Sequence, residues 1–175
     1  MKKISFSIFV FFSIILFCSL GTWQIYRLQW KLDLINEINY GLNSESVPYS
    51  KTNIINYQKV KFSGTFDFEK QIYLYSLNSN GKPGYDIITP IKINFNEILL
   101  VNRGWISNDL KNNKNINKMK SKSFEGIVKK ISKSNPFKPE NDIKNNVWYS
   151  LKLKDLQNFT GYKLANFVLY LQNSQ

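Results

Sequence analysis

From Ile4 to Tyr26 the chain runs without a charge, with Lys2 and Lys3 before the run and Arg27 directly after it. Spanning a bilayer takes about 20 apolar residues at helical rise, so the pattern predicts a transmembrane helix over 4–26 behind a short inside N-terminus, 1–3. The helical pattern continues to Tyr40, predicting an extension over 27–40 at the membrane surface. Across the exit, Trp23, Arg27, Trp30 and Leu34 recur at i, i+4, i+7 and i+11 and share one helix face. Taken by itself, this spacing reads first as an interfacial aromatic belt with a snorkelling arginine.

Beyond Tyr40 the period changes. Gly41 to Pro48 reads as a loop, within a linker over 41–56. Short strand-like runs then alternate with turn residues: Tyr57–Phe66 with Gly64 at a bulge or close approach, Gln71–Leu77, and Tyr85–Ile93. Pro90 inside the third run predicts an edge or a bulge. A turn at Asn94–Asn96 leads to Ile98–Ile106, where Leu99, Val101, Arg103 and Trp105 are expected on one face and Leu100, Asn102 and Gly104 on the other.

Ser107–Ser121, rich in Asn and Lys, is expected to be mobile. Further strands are predicted at Ser123–Ser132, Val147–Leu153 and Ala165–Leu171, with a short helix from Asp155 as cap to Thr160, ended by Gly161. Together, 57–175 is expected to form an exported antiparallel β domain, a small barrel or sandwich of about six to seven strands.

The uncharged run also has small residues, Ser19 and Gly21, at the spacing of a signal-peptidase site. Its length, and a helical pattern running past that point, favour an uncleaved anchor. Bulky Phe17 before Cys18 argues against a lipoprotein signal. Lys2 and Lys3 favour an inside N-terminus while Arg27 and Lys31 compete from the far side. An anchor at the extreme N-terminus exports the domain behind it, to the periplasm or the mitochondrial intermembrane space.

Charge changes this picture little. The formal net charge is +12, and every acid lies after Arg27. Lys, Asn and Ile are abundant throughout whereas Ala165 is the single alanine, so the basic excess reads as a bias spread over the chain. Aromatics interleave with lysine, but no base-stacking motif appears, and nucleic acid is not expected as a partner. The single cysteine, Cys18, excludes an intramolecular disulfide.

The chain contains no histidine. That excludes Ser-His-Asp and Cys-His catalysis and removes the usual haem and metal ligand. The carboxylates, among them Asp67, Glu69, Asp86 and Asp109, show no spacing typical of a metal cluster, and Gly81 and Gly84 flank Pro83 in a turn rather than forming a phosphate loop. No enzymatic activity and no metal site are expected. Arg103, between Val101 and Trp105, reads as an indole-stacked structural residue or as part of a binding surface.

Four blocks, taken in order, resemble the surfeit locus protein 1 family of membrane-anchored cytochrome c oxidase assembly factors. The first is Leu20-Gly21-Thr22-Trp23-Gln24 with Arg27, Trp30 and Lys31. The second is Gly84-Tyr85 with Thr89-Pro90, and the third Leu100-Val101-Asn102-Arg103-Gly104-Trp105. The fourth is Pro136-Phe137 with Pro139-Glu140-Asn141, then Trp148-Tyr149 and Thr160-Gly161. The resemblance covers nearly the whole chain.

It implies an inner-membrane protein, bacterial or mitochondrial, that matures oxidase subunit I at the step of haem a insertion. Its implied partners are subunit I, haem a synthesis or insertion factors, and membrane lipid. Trp23, Gln24, Arg27, Trp30 and Lys31, with Asn102, Arg103 and Trp105, are the expected partner or haem-delivery surface. Gly21, Gly84, Tyr85, Pro90, Gly104, Pro139, Asn141 and Trp148 are expected to be structural.

The family has a second membrane helix near the C-terminus, begun by a histidine proposed to engage haem. This sequence stops at Gln175 without either and reads as a truncated frame or a form lacking that part. No bound cofactor is therefore expected, with haem a only in transit. The alternatives are a direct haem-binding chaperone, for which Met119, Tyr or Lys would be poor ligands, and a generic anchored binding module.

Overall fold

The uncharged run and its extension form one continuous helix, α1, Lys2–Asn43. In this computed structural model the described residues are 2–52, 54–94, 97–111, 113, 123–132 and 135–172. Three hydroxyls in the apolar stretch are returned to the helix's own backbone. Ser7 Oγ donates to the Lys3 carbonyl at 3.1 Å, Ser13 Oγ to Phe9 at 2.9 Å and Thr22 Oγ1 to Cys18 at 2.9 Å. With these hydroxyls satisfied internally, the helix presents Phe6, Phe9, Phe12 and Phe17 uncovered, and it is long and apolar enough to cross a membrane.

The chain divides into two compact units, 1–40 and 41–175. The second is mainly β, as the alternating runs predict. Its strands are β1 (Val47–Pro48), β2 (Lys59–Ser63), β3 (Thr65–Phe66), β4 (Ile72–Leu77), β5 (Pro83–Asn94), β6 (Glu97–Ser107), β7 (Ser123–Lys130) and β8 (Leu164–Leu171), with a helix α2 (Leu153–Thr160) before the last. They form one eight-stranded sheet in the order β1-β2-β7-β8-β6-β5-β3, with β4 also paired to β5.

Two features differ from the expected antiparallel barrel or sandwich. The sheet is mixed, because β8 lies parallel to β6 and antiparallel to β7. A parallel neighbour needs a long crossover, which the segment carrying α2 supplies. The ladder is also not closed into a barrel. β3, at one end of the ladder, follows directly on β2, the second strand from the other end, through Gly64, where the chain turns a corner. A Cβ at Gly64 would overlap the Lys92 carbonyl and lie 3.0 Å from Ile91 Cγ1, so this corner admits only glycine.

Alternation along the strands builds two cores. Val60, Phe62, Ile91, Leu99, Val101, Phe124, Phe167 and Leu169 fill the inner face of the curved sheet. On the outer face, Ile72, Ile88, Leu100 and Val168 pack with Trp148, Leu156 and Leu164. Leu99 and Leu100 thus serve different cores, as a period of two requires.

Local expectations are corrected in four places. The stretch 41–56 is no free linker: β1 pairs with β2, and Tyr49, packed on the inner core, donates to Glu97 Oε1 at 2.8 Å. Pro90 is at neither an edge nor a bulge. It is buried in β5 opposite Leu100, at the gap between the β3 and β4 pairings, where its carbonyl accepts from Asp67 N at 2.9 Å. Val147–Leu153 is not a strand and makes only isolated bridges, Leu74 with Trp148 and Asp142 with Val147.

Asp155 lies in the first turn of α2, whose N-cap is Lys152, while Gly161 ends it at φ 74° as expected. The Asn94–Asn96 turn falls partly, and the Ser107–Ser121 stretch mostly, outside the described residues, with a 3-10 turn at Asn108–Leu110.

Candidate functional site

The helical candidates stay on the surface of their unit. Trp23, Gln24, Arg27, Trp30 and Lys31 are all exposed, and Gly21 has no neighbour a Cβ would meet. The Arg27 guanidinium carbon sits 5.2 Å from the Trp23 ring centroid, one helical turn away. This cation–π contact, worth about 0.5–1 kcal/mol at an exposed site, holds a delocalised positive charge over an indole.

The β-domain candidates are divided by a bulge. The register runs Ile88 opposite Asn102, then Asp86 opposite Trp105, so Arg103 and Gly104 together face Ile87. Gly104 takes φ 111°, and its N–H donates to Asn102 Oδ1 at 2.8 Å. The extra residue moves Trp105 off the face that carries Leu99, Val101 and Arg103. Strict alternation placed Arg103 and Trp105 together; the bulge at Gly104 is the physical reason they part.

Arg103 points inward and is 7% exposed. Its Nε donates to Thr89 Oγ1 at 2.9 Å, and Nη2 makes a short hydrogen bond to Gln71 Oε1. Thr89 Oγ1 donates to the same Gln71 oxygen at 3.2 Å. The guanidinium carbon stands 5.0 Å from the Phe68 ring centroid and 5.8 Å from that of Phe66. Burial lowers the Arg103 pKa to about 10, which leaves the side chain cationic at neutral pH.

From Gln71 the network continues outward. Gln71 Nε2 donates to the Tyr73 hydroxyl at 2.9 Å, which donates to the Lys111 carbonyl at 3.0 Å. The Lys111 ammonium lies over the Tyr73 and Tyr85 rings at 5.3 and 5.1 Å. A fixed cation is thereby wired through neutral polar groups to aromatic rings near the surface. Arg103 is thus held inside the domain by its neighbours.

Trp105 belongs with Gly84. Its indole lies over that glycine, and Nε1 donates to the Ser76 carbonyl at 3.3 Å. On the same outer face Asp86 is half-buried, and desolvation raises its pKa although Asn102 and Lys129 pull the other way. Tyr170 next to it is also raised by burial and keeps its proton.

The late block is a clamp. Asn141 Oδ1 accepts from Tyr149 N at 2.9 Å and Ser150 N at 3.1 Å, and its Nδ2 donates to the Ser150 carbonyl and Asp155. The held strap lays Trp148, fully buried, against β4, its N donating to Tyr73 O at 2.9 Å while its carbonyl accepts from Tyr75 N at 2.7 Å. Trp148 Nε1 donates to Asn146, whose own Nδ2 donates to the Gln71 carbonyl at 2.7 Å. Pro139 lies in the exposed loop that leads to Asn141.

Gln71 and Asn146 carry no motif that marks them in the sequence. One backbone signal for Asn146 exists only in the fold, its left-handed φ of 52°. Among the described residues no three His, Cys, Asp or Glu side chains gather as a metal site would require.

An apolar helix of spanning length joined to a mainly-β unit defines the class: a membrane-anchored β protein. The model of the SURF1 family matches residues 11–175, and the chain belongs to that family. It is 36% identical to the SURF1-like protein of Rickettsia conorii, over 95% of this chain and 70% of that one. With the SURF1-like protein of Rickettsia prowazekii the identity is 39%, over 95% and 69%. With Surfeit locus protein 1 of Gallus gallus it is 33%, over 83% of this chain and 54% of the relative.

Proposed function

We propose that this chain is a non-enzymatic assembly factor for cytochrome c oxidase, assisting haem a insertion into subunit I. The observation that carries the reading is the family match across 11–175, which takes in both the helix exit and the β domain. Haem a is cargo in transit, and the partners are subunit I, haem a synthesis or insertion factors, and membrane lipid. The β domain acts on the periplasmic or intermembrane-space side of the inner membrane.

In this reading Trp23 and Arg27 form the contact, since an exposed guanidinium backed by an indole suits a partner carboxylate or a haem propionate. Arg103 and its network hold the aromatic surface in shape. The test is a deletion strain. Its membranes should lose the haem a band in reduced-minus-oxidised spectra and regain it when the chain is supplied. A deletion strain with normal oxidase spectra and activity overturns the proposal.

A further inference from the structure

A turn on the β unit holds a phenyl ring out in water. Phe137 is 93% exposed, and among the described residues no large apolar side chain of α1 exceeds the 71% of Tyr40. The exposure is built in. Asn135 Oδ1 accepts from Phe137 N at 2.9 Å and the Asn135 carbonyl accepts from Lys138 N at 3.1 Å, closing a turn with Phe137 in its third position. Pro136, in the second position, has its φ set by its own ring. The loop is tied on both sides, at Ile131, whose N donates to the Asn166 carbonyl at 3.1 Å, and at Asn141, which holds Tyr149 N and Ser150 N. A lone apolar residue on a surface needs no explanation; a phenylalanine fixed at the apex of a hydrogen-bonded turn does.

The surroundings of the turn indicate what covers the ring. From Gly126 to Pro139 the sequence has four lysines, 129, 130, 133 and 138, and no acid. Glu140 and Asp142 follow, and the Asp142 carboxylate already accepts from Asn145 N at 3.1 Å and Asn145 Nδ2 at 2.7 Å. The lysine charge acts over a Debye length of about 8–10 Å, so it favours an anionic surface without any fixed place for the ammonium groups. The chain also carries its own helix of membrane-spanning length, which keeps the β unit at a bilayer. A protein pocket suits the turn less well. A usual interface buries about 800 Å² on each partner around an apolar centre, whereas the neighbours of Phe137 in 135–142 are two prolines and otherwise Asn, Lys, Glu and Asp.

We infer that the Phe137 turn seats the β unit on an anionic lipid surface, its ring entering the boundary between headgroups and acyl chains while the lysines of 129–138 draw it to lipid phosphates. This contact requires only the membrane helix and is independent of the role in oxidase assembly.

The experiment places an environment-sensitive nitrobenzoxadiazole dye beside the ring, at Lys138→Cys in a Cys18→Ser background. The full chain is reconstituted into phosphatidylcholine vesicles with and without phosphatidylglycerol, and quenching by lipids bearing a nitroxide high on the acyl chain is read. The same dye at Lys82→Cys, on the exposed turn after β4, serves as the control. In vesicles containing phosphatidylglycerol the dye at 138 should be blue-shifted and quenched, and the dye at 82 should be neither. Adding Phe137→Ser should lower the ratio of seated to free turn about tenfold, the effect of withdrawing one phenyl ring from water. Omitting phosphatidylglycerol, or raising salt to about 1 M where the Debye length is about 3 Å, should weaken the quenching.

Phe137 and Lys138 are exposed, so thermal melts of the variants should match the parent. Equal quenching at 138 and 82, quenching unchanged by Phe137→Ser, or quenching indifferent to phosphatidylglycerol would each overturn the inference. A dye at 138 that is shielded in native membranes yet unquenched in the vesicles would assign the ring to a protein pocket and overturn it as well.

Discussion

The indole of Trp105 lies so close over Gly84 on the neighbouring strand that a methyl group on Gly84 would overlap the ring and the Ile106 carbonyl. The bulge at Gly104 makes this packing possible by setting Trp105 opposite Asp86, two residues along β5 from Gly84. Gly84→Ala must push the ring off the sheet. Overpacking of this kind costs about 1–3 kcal/mol, so denaturant unfolding of the variant should shift by that amount. An unchanged midpoint would show that the ring moves at no cost.

Arg103 and Gln71 should prove energetically coupled. Arg103→Met takes the guanidinium donor away from Gln71 Oε1 and Thr89 Oγ1, and Gln71→Leu takes one acceptor away from the buried cation and from the Thr89 hydroxyl. Each change should cost about 1–3 kcal/mol, the penalty of taking a hydrogen-bond partner from a buried polar group. In the double variant both ends are apolar, so its cost should fall short of the sum by about 1 kcal/mol or more. Strict additivity in a double-mutant cycle would refute the coupling.

The parts legible in the sequence were those set by period and by single-residue chemistry. The charge-free run gave α1, alternation gave most strands, and Gly64 and Gly161 marked a close approach and a helix end. What escaped depends on partners far apart in the chain. Whether β8 enters the sheet beside β6 is decided by how the α2 segment packs, not by anything in Leu164–Leu171 itself. Gln71 acquires its role only by meeting Arg103, 32 residues away, and Asn146, 75 away. The bulge at Gly104 inverts the face of Trp105, a step that alternation alone cannot foresee.

Asp86 should give stability a pH dependence of definite sign. Its pKa in the fold lies above the ordinary 3.8, first because of desolvation. Between the two values the folded state binds more protons than the unfolded one, so this carboxyl favours folding below about 3.8 and loses that contribution as pH rises through the folded value. Asp86→Asn removes the titration. The variant should therefore gain stability relative to the parent as pH rises from about 3.5 to neutrality, in the manner linkage requires of about one proton. Paired denaturant curves check this, and a gap that shrinks with rising pH contradicts the assignment.

Arg27 and Arg103 should fail in different ways. Arg27 is exposed on α1 with its guanidinium on Trp23, so its loss removes no buried contact. Arg27→Gln should leave unfolding of the β unit within about 0.5 kcal/mol of the parent, as surface changes do. If the proposed contact is made here, the same variant should lower the haem a band of membranes while the amount of anchored protein stays level. Arg27→Lys keeps the charge but loses the flat stacking surface, so its band should be intermediate.

Arg103→Met should lower the unfolding midpoint and, through it, both the protein level and the band together. Spectra of isolated membranes, read against immunoblots of the chain in the same samples, separate the two patterns. A parental haem a band per anchored chain in Arg27→Gln removes the helix exit from the proposed site and leaves the β domain to carry it alone.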